Sequence, residues 1–137
     1  MQTFLPYSNF NRCAKILDNK RLGKQRVEAY QIMQALKNPN YGWQHHPAVE
    51  MWRGYEDQLA LYYNYILREW LHRGFRNSMS FMNWIEVGIH IPLWLGNEEF
   101  HASHRSNLLR KNPEHYSKFG WTEPNNLPYY WPTKINQ

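Results

Sequence analysis

A chain of 137 residues with 42% hydrophobic and 17% aromatic residues holds enough apolar material for one core, which excludes wholesale disorder. Its one cysteine, Cys13, excludes an intrachain disulfide and any zinc site built on cysteine pairs, and points to the reducing cytoplasm. The formal net charge of +5 favours phosphate-bearing partners, and no apolar run reaches the roughly 18 residues that a membrane span needs.

The opening residues, Met1 to Pro6, carry neither the basic start nor the apolar run of a signal peptide. The first strong helix is expected over 18–37. Asp18 is placed to cap it, Lys37 suits its end, and Leu22, Ala29, Met33 and Leu36 recur at helical spacing. Asn38-Pro39-Asn40 stops it. A second, central helix is expected over 47–73, with Pro47 in its first turn and Gly74 at its exit. Its stripe is Trp52, Tyr55, Leu59, Tyr62, Tyr63, Ile66 and Trp70. Residues 78–96 read as a short helix and a turn, punctuated by Gly88, Pro92 and Gly96. Another helix is expected over 97–111, capped by Asn97, with a further short turn from Asn112-Pro113 to Lys118. The tail from Phe119, rich in Pro, Tyr and Trp, reads as irregular chain packed over the surface. The fold class is therefore all-α, a compact helical bundle with an irregular aromatic tail, in one domain over 1–137.

The charge is unevenly placed. Residues 12–26 hold Arg12, Lys15, Lys20, Arg21, Lys24 and Arg26 against Asp18 alone, and residues 105–118 hold Arg105, Arg110, Lys111 and Lys118 against Glu114. On the first helix Arg21, Lys24, Gln25 and Glu28 share one face. Such a face is either an ordinary solvated stripe with a Lys24–Glu28 pair, or a phosphate-binding stripe with a carboxylate inside it.

The run from Leu17 to Glu28 resembles the pyrimidine-dimer DNA glycosylases, the endonuclease V-like family, in its bacterial and viral branch. The likeness continues through His46-Pro47-Ala48-Val49-Glu50-Met51-Trp52, Glu69-Trp70 and Arg73-Gly74-Phe75. It resumes at Pro92-Leu93-Trp94-Leu95-Gly96 and from His101 to Lys111. It closes with Pro113-Glu114-His115-Tyr116 and with Pro128-Tyr129-Tyr130-Trp131-Pro132. The resemblance implies a compact helical fold acting on double-stranded DNA; no cofactor is expected, and the protein is expected to act as a monomer. It implies excision of a damaged or modified pyrimidine by an amine that forms a Schiff base with the sugar, followed by a carboxylate-assisted lyase step. In that family the amine is the chain's own N-terminus, and the carboxylate lies on the first long helix among arginines.

The chemistry favours an N-terminal amine on independent grounds. A nucleophilic amine must be neutral, and an α-amino group has a pKa of roughly 7.7–8.0 against about 10.4 for lysine. Gln2 is a large second residue of the kind that blocks methionine removal, so the candidate amine is that of Met1. Where the family's acid aligns, this chain has Arg21 or a neighbour. Glu28 lies further along the same face and is the candidate carboxylate, with Asp18 the other choice. Lys20, Arg21, Lys24, Gln25, Arg26, Arg105, Arg110 and Lys111 are expected to hold phosphates. His45, His46, His101 and His104 are candidates to touch phosphates or orient Glu28, with surface and capping roles as the alternative. Trp43 and Tyr129 are candidates to stack on bases. Two rivals keep the basic stripes: a non-catalytic nucleic-acid-binding module, and a metal-dependent nuclease in which histidines join Glu28.

Overall fold

The computed structural model describes residues 1–84 and 90–132. Six α-helices follow in order: α1 (Phe10–Ile16), α2 (Asn19–Lys37), α3 (Pro47–Glu50), α4 (Glu56–His72), α5 (Glu98–Lys111) and α6 (Pro113–Tyr116). A 3-10 turn, Ser117–Phe119, closes the series. The protein is all-α, with no strand among the described residues. No helix among them is long and apolar enough to cross a membrane.

α2 packs chiefly on α4, and α1 on the same helix. The inner face of α2 buries Leu22, Ala29, Ile32 and Met33, and α4 answers with Leu59, Tyr62, Tyr63 and Ile66. Each such side chain taken fully from water contributes about 1.5–3 kcal/mol. The approach is tight at Gly23, where an added Cβ would stand 3.0 Å from the Trp70 ring. That ring is held between the Arg26 guanidinium and Phe75, and its Nε1–H donates to Arg76 O at 2.7 Å. Arg73 fastens the far end of α4 to the α1–α2 junction. It pairs with Glu69 at 2.8 Å and donates to Asn19 Oδ1 at 2.9 Å and Lys15 O at 3.1 Å.

Three expectations change. The helix expected over 47–73 is two, because the chain turns at Gly54 with φ of +88°, a backbone conformation that a side chain resists. α1 had no place in the expected series; Asn9 caps it, its side chain accepting from Arg12 N–H at 2.9 Å. The helix expected within 78–96 is absent from 78–84, which runs as irregular chain, while 92–96 form the turn. The part of that expectation falling on 85–89 lies outside the described residues. Chain at 80–82 is tied to α4 by Tyr63 Oη–H donating to Ser80 O at 2.7 Å and by Asn64 bonding both Met82 N and O.

The least expected feature is the N-terminus. Residues 2–6 lie in no helix or strand and are buried, with Thr3 and Leu5 fully so. A buried backbone must find partners, and with no neighbouring strand these come from side chains. Gln25 donates to Gln2 O at 2.8 Å and accepts from Phe4 N–H at 2.9 Å. Leu5 is clamped by two histidines of α5: its N–H donates to His104 Nδ1 at 2.9 Å, and its carbonyl lies 2.7 Å from His101 Nδ1. Arg105 donates to Pro6 O at 2.7 Å. Trp52 Nε1–H reaches Thr3 Oγ1 at 3.0 Å, while its ring stacks on Tyr62. Cys13 is a buried core residue whose thiol burial pushes up to about 12.

Candidate active site

The opening residues, the first half of α2, the end of α5 and the tail enclose a pocket of about 310 Å³. Met1, Gln2 and Phe4 come from the buried N-terminal segment; Lys20, Arg21, Lys24 and Glu28 from α2; Lys111 from α5; and Tyr129 from the tail. The α-amino nitrogen of Met1 lies 4.0 Å from Glu28 Oε1. That is beyond hydrogen-bond length, so neither group consumes the other.

Gln25 sets this spacing. It is fully buried, and its Nε2 donates to Gln2 O at 2.8 Å and to Glu28 Oε2 at 3.0 Å. Its Oε1 accepts from Phe4 N–H, and Tyr62 Oη stands 2.7 Å away, its one proton shared with Phe4 O at 2.9 Å. One amide therefore ties the carboxylate to the backbone that carries the amine. Gln25 is not free to hold a phosphate, which corrects the expectation drawn from its place on the charged face of α2.

Around the amine and carboxylate stand Lys20, Arg21, Lys24 and Lys111. Burial, then the charges of Arg21, Arg110 and Lys24, hold the Lys111 ammonium below its usual range, with Glu28 opposing. Arg21 is aimed by Asp18, which accepts from its Nη1 at 3.1 Å. Asp18 in turn accepts a short hydrogen bond from the Tyr116 hydroxyl and donates its N–H to the same oxygen at 3.0 Å. Burial raises the Asp18 carboxyl, but Tyr116 and Arg21 outweigh it and hold it below the usual carboxylate range. Asp18 occupies the N-cap position of α2 yet makes no side-chain cap bond, contrary to expectation, because Tyr116 and Arg21 engage its oxygens. Burial foremost pushes the Tyr129 phenol up to about 12, so it enters the pocket as a neutral ring.

The other predicted residues are scattered. His101 receives the Gly96 N–H on Nε2 at 2.9 Å, so its proton sits on Nδ1 and is donated to Leu5 O. His104 accepts on Nδ1, and burial, then His101, lowers its pKa to about 3. Both rings are neutral fasteners inside the core. Arg105 is buried as well, paired with Glu98 and, at 3.0 Å, with Glu123. These three corrections share one cause: the face of α5 expected to meet DNA meets the N-terminal segment. Arg26 leaves the pocket to lie over Trp70 and donate to Asn77 Oδ1 at 2.9 Å. Arg110 is exposed at the end of α5, donating to Asn107 and, at 3.2 Å, to Asn125 O.

His46 caps α3 through Nδ1, which accepts from Ala48 N–H at 3.0 Å. Burial, then the terminal ammonium, lowers its pKa. His45 and Trp43 are exposed on the preceding loop. Among the described residues no three His, Cys, Asp or Glu side chains gather as metal ligands. The histidine set imagined for a metal site is not assembled, since both nitrogens of His101 and Nδ1 of His104 serve backbone groups. Gln2, Phe4 and Tyr116 were missed. Tyr116 stands in a motif that carries the resemblance and Gln2 bears on methionine removal, but no local signal gave any of the three a place in the site, because their importance lies in contacts with residues far along the chain.

By fold and charge this is an all-α protein with an electropositive pocket, the class complementary to phosphate-bearing ligands. The pyrimidine dimer DNA glycosylase family model matches residues 1–83, and the chain belongs to that family. DNA repair by glycosylase action on a DNA substrate is the function that membership carries. No curated protein and no solved structure matches the chain. The matched stretch contains Met1, Gln25 and Glu28, whereas Lys111 and Tyr129 lie beyond it.

Proposed function

We propose that this protein excises a damaged or modified pyrimidine, such as a pyrimidine dimer, from double-stranded DNA and then nicks the strand. The Met1 amine is the nucleophile and Glu28 the acid/base. The observation that carries this reading is the 4.0 Å between that amine and that carboxylate among four cationic side chains.

The chemistry follows from the groups present. The neutral amine attacks C1′ of the damaged nucleotide, and the base departs with the glycosidic electron pair, taking a proton. The amine nitrogen then forms the imine as the C1′–O4′ bond breaks, one of its protons passing to the ring oxygen and the other to solvent. Glu28 removes a proton from C2′; the electrons form the C2′–C3′ double bond and expel the 3′ phosphate. Water hydrolyses the imine and returns the free amine. Neither step calls for a cofactor. Lys20, Arg21, Lys24 and Lys111 hold the phosphates flanking the site, with Arg110 further out. Asp18 keeps Arg21 aimed at the pocket. Gln2 lines the pocket, and its Nε2 is buried there without a protein partner. Residues 1–137 work as one domain in this reading, with α5 and the tail completing the wall that α2 begins, and the protein acts as a monomer.

Borohydride reduction with duplex DNA carrying an abasic site or a pyrimidine dimer tests the reading. The expected result is a covalent protein–DNA adduct that peptide mapping places on Met1. An adduct on Lys20 or Lys24 moves the nucleophile. Binding with neither adduct nor nicking overturns the enzyme reading in favour of a binding module.

A further inference from the structure

Trp43 is 60% exposed, on the loop between α2 and α3. It is also the described non-glycine residue with positive φ, at +71°. For a bulky side chain that conformation is strained, and strain of this kind persists only where surrounding structure imposes it. Here it is imposed. Gln44 Nε2 shares its two protons among Ala35 O, Asn38 O and Tyr41 O at 2.7, 2.9 and 3.0 Å, and Arg53 clamps Gln44 O at 3.0 Å. The Trp43 carbonyl accepts from His46 N–H at 3.0 Å. The loop backbone is thus pinned while a large apolar ring stands in water.

From Trp43 an aromatic series leads back to the pocket. Its ring meets His46 edge-on at 5.8 Å between centroids, His46 meets Trp131 at 6.0 Å, and Trp131 meets Tyr129 at 5.7 Å. Tyr129 lines the pocket with Met1 and Glu28. The outer end of the series is apolar, while the pocket's cations lie at the inner end.

We propose that Trp43 is a stacking wedge that takes the π-face of a nucleobase beside the excised nucleotide and holds the duplex open there. The proposal rests on the glycosylase reading above in assuming duplex DNA as the partner. An enzyme acting on a base inside a duplex must first remove it from the stack, and inserted apolar side chains lower the cost of that opening. Every base offers a π-face, so a tryptophan serves without reading sequence.

The test uses the full chain and a duplex with a non-cleavable abasic analogue flanked by 2-aminopurine, whose fluorescence rises when it unstacks. The wild-type protein raises fluorescence on saturation. Trp43→Ala binds about 5- to 150-fold more weakly, the range expected for one lost base–aromatic stack, and loses most of the fluorescence rise even when saturated. Trp43→Phe restores both, and Trp43→Gln, of similar reach but without a π-face, does not. A loss that is merely structural would lower Tm and would not separate Phe from Gln. Wild-type protein that leaves the fluorescence unchanged, or Trp43→Ala and Trp43→Gln that raise it like wild type, overturns the proposal. The analogue undergoes no chemistry, so a wedge signal with neither adduct nor nicking on reactive DNA removes the glycosylase mechanism and leaves the wedge standing.

Discussion

At the scale of single residues, one amide controls the distance on which the proposed chemistry depends. Gln25 spends its hydrogen-bonding capacity on Gln2, Phe4, Tyr62 and Glu28. Gln25→Leu, of similar volume, leaves the Phe4 N–H and the Gln2 carbonyl buried without a partner. Denaturant unfolding is expected to show a loss of about 3 kcal/mol, and excision should fall further than DNA binding because amine and carboxylate lose their common tether. Glu28→Gln is a different perturbation. Its amide oxygen still accepts from Gln25, so stability should change by less than about 1 kcal/mol. Strand nicking should nevertheless fall roughly 100-fold or more, the usual contribution of a positioned acid/base, while affinity for an abasic analogue holds or rises as a negative charge leaves the pocket. Glu28 was legible in the sequence because a helical face is a matter of spacing. The role of Gln25 was not, because the same spacing placed it on that face without saying that the N-terminus would cover it.

At the scale of elements, α5 illustrates how a helix is recognised before its orientation is. Its limits, the Asn97 cap accepting from Phe100 N–H at 3.0 Å, and its acidic start all follow from local residue chemistry. Which side of it faces DNA does not. His101, His104 and Arg105 look like ligands for an anion, yet they bind the peptide groups of residues 5 and 6, more than ninety positions earlier. This use of α5 has a pH signature. In the unfolded chain His104 binds a proton near pH 6.5, while in the fold it does so only at about 3. Between those values the unfolded state carries the extra proton, so stability falls as pH falls, by up to about 1.4 kcal/mol per pH unit. His101, lowered by burial foremost, adds in the same direction. Thermal unfolding measured from pH 7 to 5 should show this decline. His104→Asn, whose Oδ1 still accepts from Leu5 N–H, should flatten it; an unchanged slope would place the titrating group elsewhere.

At the scale of the whole molecule, the pocket's charge is assembled from two distant stretches, α2 and the end of α5. If Lys20, Arg21, Lys24 and Lys111 each neutralise one phosphate, the logarithm of the DNA association constant should fall with the logarithm of salt with a slope of about −3.6. Lys24→Ala should reduce that slope by about 0.9, as should Lys111→Ala, when read by fluorescence anisotropy from low to physiological salt. Arg105→Ala should leave the slope unchanged and lower Tm instead, because Arg105 is committed to Pro6, Glu98 and Glu123 inside the protein.

The helical class, the limits of α2 and α5, the basic face of α2 with Glu28 on it, and the kinship with pyrimidine dimer DNA glycosylases all stand in the residues themselves. They depend on spacing, capping and motif, which act over one or two helical turns. Only the tertiary structure decided that Met1 comes to rest beside Glu28, and that Gln25, His101, His104 and Arg105 turn inward to hold the chain's first residues there. The physical reason is that a buried backbone outside any helix or strand must bond to whatever polar groups pack around it. Those partners lie far along the chain, where no local periodicity reaches.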